Sequence, residues 1–159
     1  MQKILFLDID GPVIPATQAF INRHASWERM FAPQCIAIVK HILDQSGAKL
    51  VTNSTHNQET PHLNGGRTLR EDLIAAGIQA ELFHPVWKTQ YPNISGSLRR
   101  LDAIELWQAE NGQADWIALD DANFTDDERL VLVDFDCGLT VADFNKVAKR
   151  WGFTGFMVL

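Results

Sequence analysis

Cysteine is scarce. The 159 residues hold two, Cys35 and Cys137, isolated and without CxxC spacing. That excludes a disulfide framework, and both read as reduced cytosolic thiols. Long apolar runs are missing too: none approaches the roughly 18 residues of a membrane span. The first residues lack a secretory pattern, because an apolar strand begins almost at once and ends in acids. Basic residues are outnumbered, 14 Lys and Arg against 20 Asp and Glu, for a net charge of −6. This balance leaves no basic stripe for an extended nucleic-acid footprint, though it allows one nucleic-acid end at a metal site. Internal repeats and linkers are absent. Residues 1–159 therefore read as a single cytoplasmic domain, long enough to bury a core.

What is present is a series of short apolar strands that end in polar clusters. Ile4-Leu5-Phe6-Leu7 has the length of a buried strand and runs into Asp8-Ile9-Asp10-Gly11. In extended geometry Asp8 and Asp10 start on one face, at the strand end where open α/β sheets bind ligands. Gly11 lets the chain turn away without a Cβ clash. Two carboxylates so close repel each other, and a hard divalent cation with oxygen ligands, Mg²⁺ above all, relieves that cost.

Further along, Trp27, Met30 and Phe31 have the spacing of one helical turn packed on the core. Residues 34–46 read as a helix with Ile38, Val39, Ile42 and Leu43 in a stripe and Gly47 as its C-cap. Ala48 to Val51 is a second strand, ending in Thr52-Asn53-Ser54-Thr55. Residues 53–67 form a polar loop in which His56 and His62 lack the spacing of a helical zinc pair; His56 and Arg67 are candidate substrate contacts. Thr68-x-x-Glu71 is a capping box opening a helix that Gly77 closes. Ile78 to Phe83 reads as a third strand stopped by His84-Pro85, and Lys88 follows in a loop. Ser97 is placed to cap a helix through Leu101, Ile104 and Trp107. Arg99 and Arg100 stand in its first turn, against the usual preference for acids there, which points to negative charge nearby. Trp116 to Leu119 is a strand ending in Asp120-Asp121, with Asp126 in the acidic, solvated loop beyond. Leu130 to Val133 is a fifth strand. Thr140 and Asp143 cap a last helix through Trp151, and Phe156 to Leu159 has the composition of an edge strand. The alternation implies an α/β fold with a mostly parallel sheet.

An apolar strand followed by Asp8-Ile9-Asp10-Gly11, with Asp120-Asp121 after a later strand, resembles the haloacid-dehalogenase (HAD) superfamily. The pattern from Arg100 to Trp107 and the run Asp136 to Thr140 are similar to a capless subgroup found in RNA-repair proteins. The resemblance spans nearly the whole chain and implies a Rossmann-like sheet with helices on both faces. It implies that Asp8 is a nucleophile forming an aspartyl-phosphate and Asp10 a general acid and base. Mg²⁺ would be held by Asp8, the Asp10 carbonyl and Asp120 or Asp121. The second-motif hydroxyl falls on Thr52 or, two positions on, Ser54. The third-motif cation falls on Arg100, with Arg99 and Lys88 as alternatives. Gly11, Asn53, Ser54 and Lys88 are expected to line the substrate. Because Asp10 must be protonated in the first step, its pKa is expected to be raised by the neighbouring carboxylate. The intervals between motifs leave no room for a full cap domain, so the site is expected to be open and to admit large phosphorylated substrates. The implied activity is Mg²⁺-dependent phosphomonoester hydrolysis. A nucleic-acid end phosphatase and a non-catalytic Mg²⁺-dependent phospho-ligand module are the alternatives.

Overall fold

A computed structural model describes residues 1–22, 29–58, 64–90 and 99–157. The expectations for Trp27, His62 and Ser97 lie outside the described residues. Five strands form one all-parallel sheet: β1 (Gln2–Leu7), β2 (Lys49–Thr52), β3 (Phe83–Lys88), β4 (Ala114–Asp120) and β5 (Leu130–Leu132), in the order β3-β2-β1-β4-β5. Among the described residues five α-helices accompany them: α1 (Ala16–Ile21), α2 (Pro33–Ser46), α3 (Leu69–Ala75), α4 (Arg100–Asn111) and, after the last strand, α5 (Val141–Trp151). No cap domain stands among the described residues, and none of their helices is long and apolar enough to cross a membrane.

The two-residue period of a strand sends alternate side chains to opposite faces. Leu5 and Leu7 join Leu50, Ile117 and Leu119 in a core covered by α2, α3 and α5. Ile4 and Phe6 join Val51, Trp116 and Ala118 in a second core covered by Ile104 and Trp107 of α4. Strands buried on both faces read as continuous apolar runs, which is why β1 and β4 were legible.

The helices start and stop where their local chemistry dictates. Pro33 opens α2 and Gly47, at φ 70°, closes it. Its buried stripe is Ile36, Val39, Ile42 and Leu43, so Ile36 takes the place expected for Ile38. Thr68 and Glu71 form the expected reciprocal cap on α3, and Asp143 accepts from the Thr140 N–H and hydroxyl at the start of α5. Three expectations fail. Ile78 to Phe83 is not a strand: a 3₁₀ turn occupies Ala80–Leu82 and β3 runs Phe83–Lys88, through Pro85. Proline is tolerated because β3 is an edge strand and its register slips between Leu50 and Thr52. Met30 and Phe31 are not helical; Met30 is exposed, and Phe31 alone packs on the core. Phe156 and Met157 are exposed coil and add no strand.

Candidate active site

The strand order reverses between β1 and β4: the chain steps outward from β1 to β3, then returns to lay β4 on the other side of β1. Parallel α/β sheets form their ligand crevice at such a point, beyond the carboxyl ends of the strands. Leu7 pairs with Leu119, so the next residues, Asp8 and Asp120, emerge side by side, and the Asp8 N–H extends the ladder to the Leu119 carbonyl at 3.0 Å. Alternation continues from Phe6 to Asp8 and from Ala118 to Asp120, which puts both carboxylates on the α4 side. Asp121 completes the group. A Cβ on Gly11 (φ 100°) would stand 2.8 Å from the Asp121 Cβ, so the absence of a side chain there admits the third acid. One carboxylate oxygen from each of Asp8, Asp120 and Asp121 lies within 4.8 Å of the others.

Arg100, the first residue of α4, enters this cluster. Its Nη1 lies 2.7 Å from Asp120 Oδ2 and 3.2 Å from Asp8 Oδ1. Asp120 Oδ1 accepts from the Ala122 N–H at 2.8 Å. Asp8 Oδ2 is buried and has no hydrogen-bond partner among the described residues. Three carboxylates therefore face one guanidinium with an acceptor left over. Burial, then the charge of Asp120, pushes the Asp8 carboxyl up to about 8, with Arg100 opposing. Burial likewise raises Asp120 to about 6, against the pull of Arg100 and the Ala122 N–H. An orphaned buried oxygen among hard acidic donors fits a divalent cation, whose charge would let all three acids ionise together.

Asp10 departs from expectation in two ways. Its side chain does not join the acidic cluster; it stands at the mouth, 57% exposed, with Oδ2 3.1 Å from His56 Nε2. Its pKa is lowered, not raised, chiefly by that hydrogen bond, with burial opposing. The reason is local. β1 ends at Leu7, and residues 9–14 curl into a turn in which Val13 and Ile14 both donate to the Ile9 carbonyl. Strand alternation stops before Asp10, which faces an imidazole instead of a carboxylate. The Gly11 N–H donates to the Ile14 carbonyl within the same turn.

The polar end of β2 is tied down. Val51 faces α4 and Leu50 the opposite core, so Thr52 follows Leu50, away from the side of Asp8. Its hydroxyl donates to Asn57 Oδ1 at 2.6 Å. Asn57 donates to the Thr52 and Thr89 carbonyls, Thr89 donates to Asn53 Oδ1, and Asn53 donates to the Arg100 carbonyl. This buried network fastens the β2 loop to the start of α4. Ser54 is buried, and its Oγ accepts from the His56 N–H. The Lys88 ammonium donates to the Asn57 carbonyl at 3.4 Å and lies over the Trp87 ring. Arg99 is the exposed N-cap of α4, its N–H donating to Asp102. Asp126 is exposed. Asn57, Thr89, Arg29 and Asp72 take part in the polar framework without having stood out in the sequence. Asn57, Thr89 and Arg29 stand in irregular stretches and Asp72 lies within α3 beside the capping-box Glu71, and no spacing marks any of them.

An all-parallel sheet in this order, with an acidic trio and an arginine at its switch point, defines the HAD-like class of α/β proteins. The family model described as the HAD domain in Swiss Army Knife RNA repair proteins matches residues 4–144. The chain belongs to that family, within a superfamily whose members are generally hydrolases of the phosphatase type and typically use a metal. No curated protein and no solved structure matches the chain.

Proposed function

We propose that the protein is a Mg²⁺-dependent phosphomonoester hydrolase that works through an aspartyl-phosphate on Asp8. The observation that carries this reading is the Asp8 carboxylate: buried, with one oxygen unpartnered, among Asp120, Asp121 and Arg100. A divalent cation held by Asp8, Asp120 and Asp121 would supply charge neutralisation for the phosphoryl group. An Asp8 oxygen attacks phosphorus in line, and the bond to the leaving oxygen breaks as the new P–O bond forms. Asp10, at the open mouth, gives a proton to that leaving oxygen from its protonated form, which the His56 hydrogen bond makes the minor one near neutral pH. In the second step Asp10 takes a proton from water, which attacks the acyl phosphate and frees Asp8. Arg100 offsets charge on the equatorial oxygens while keeping Asp8 and Asp120 in place. Ser54, beside the His56 N–H, suits the second-motif hydroxyl better than Thr52, whose proton is given to Asn57.

A phosphorylated nucleic-acid end is the second reading. The family's RNA repair description and the absence of a cap among the described residues favour it, and a net charge of −6 suits a terminus more than a long footprint.

The test is hydrolysis of a generic aryl phosphate with Mg²⁺ and with a chelator. Metal-dependent turnover lost in Asp8→Asn is the expected result. Faster turnover of 3′- or 5′-phosphorylated oligonucleotides than of small esters would select the second reading. Binding of a phosphorylated ligand without any turnover would replace both with a non-catalytic module.

A further inference from the structure

A hydrogen-bonded chain runs away from Asp10 into the body of the protein. His56 Nε2 meets Asp10 Oδ2 at 3.1 Å, and His56 Nδ1 meets Arg29 Nε at 3.1 Å. Arg29 Nη1 meets Asp72 Oδ2 at 2.6 Å, and Arg67 Nε meets Asp72 Oδ1 at 2.8 Å. Asp72 is buried on α3, and the Arg29 side chain is almost fully buried with it. The ends of the chain differ in stiffness: Asp72 is anchored in a helix that packs Leu69 and Leu73 on the core, whereas Asp10 is exposed in a turn.

The chemistry of the links sets their direction. A guanidinium only donates, so Arg29 requires His56 Nδ1 to be the acceptor. The imidazole proton then sits on Nε2, the nitrogen facing Asp10. This is the arrangement in which a second partner selects the tautomer of a histidine and fixes its ring.

We infer that His56, oriented by Arg29 and Asp72, is a positioning residue for Asp10: it occupies Oδ2, turns the carboxyl plane, and leaves Oδ1 as the oxygen that exchanges its proton with the leaving group. The inference rests on the phosphatase reading above, in which Asp10 is the acid. His56 itself forms and breaks no bond. Without it the proton still moves from Asp10 to the leaving oxygen as the P–O bond breaks, but from a side chain free to rotate in solvent.

A positioning role predicts a leaving-group signature, because proton donation matters most when the leaving oxygen is strongly basic. The experiment compares kcat/KM for a nitrophenyl phosphate and an alkyl phosphate in wild type, His56→Ala and His56→Gln, with melts to confirm folding. His56→Ala should lose about 10-fold on the aryl ester and about 100-fold on the alkyl ester. His56→Gln, which keeps an N–H donor, should recover most of both. In an Asp10→Asn background, His56→Ala should cost nothing further, since the two residues act as one unit. Equal losses on both esters, or losses that multiply in the Asp10→Asn background, would overturn the inference while leaving the phosphatase reading intact.

A second measurement does not depend on activity. The imidazole ¹⁵N spectrum of His56 should show the Nε2–H tautomer in wild type and a mixture in Arg29→Met. If the wild-type proton sits on Nδ1, the inference fails. If no ester is turned over yet the Nε2–H tautomer is present and lost in Arg29→Met, the chain stands and the phosphatase reading is what has failed.

Discussion

Gly11 shows how much one residue decides. It holds φ 100° in the turn after Asp8, and the space a Cβ would fill is occupied by Asp121. Gly11→Ala should cost about 1–3 kcal/mol from backbone strain alone. It should also push Asp121 out of the trio and weaken Mg²⁺ binding, measurable by titration calorimetry. Unchanged Mg²⁺ affinity in the folded variant would show that Asp121 is not a ligand. Asp8 and Asp10 carry the same functional group two positions apart, yet burial raises one pKa and a histidine lowers the other. The opposite shifts come from their surroundings, not from the residue type.

At the scale of elements, α4 delivers Arg100 and is itself held by its apolar face. Trp107 packs edge-on against Phe6, with ring centroids 5.5 Å apart, and its indole N–H donates to the Val86 carbonyl at 3.0 Å. One side chain thus joins α4 to β1 and to the edge strand β3. Trp107→Ala should destabilise the protein by about 3–5 kcal/mol in urea unfolding. The surviving folded fraction should bind Mg²⁺ less tightly, because the start of α4 is no longer seated. A loss below about 1 kcal/mol would mean that the buried network from Asn53 to Thr89 alone secures the helix. Most element ends follow local signals: proline and glycine around α2, reciprocal caps on α3 and α5. β3 did not, because its residues include Pro85 and alternate poorly. Only its place at the sheet edge makes such a strand tolerable.

The molecule as a whole concentrates negative charge at one end of its sheet, and its stability should report that. Folded Asp8 holds its proton up to about pH 8 and Asp120 up to about pH 6, whereas both lose it near 3.8 when unfolded. Between those values the native state binds more protons, so metal-free stability falls as pH rises. Asp10 acts the other way: its lowered pKa adds stability above the unfolded value, and this is lost as pH falls through the folded one. Mg²⁺ should remove the loss at high pH by pairing the ionised carboxylates. The gap in Tm between Mg²⁺-loaded and chelated protein should widen by roughly 5 °C or more between about pH 5 and about pH 8. A constant gap would mean that the bound ion does not contact Asp8.

The sequence by itself determined the strand-helix alternation, the buried strands β1 and β4, and the acids that end them. These are local properties: an apolar run needs burial, and polar residues at its end need the crevice that a parallel sheet supplies. It also singled out Arg100, because two arginines at a helix start imply an anion nearby. Tertiary structure decided the rest. Which carboxylates share a cluster depends on where alternation stops, and it stops after Asp8, so Asp121 joins Asp8 while Asp10 turns to His56. The Thr52 hydroxyl is held by Asn57, which also bonds Thr89, far apart in the chain and adjacent in space. The line from Asp10 through His56 and Arg29 to Asp72 joins residues up to 62 positions apart. Hydrogen bonds reach about 3 Å, and only the folded chain brings such residues that close.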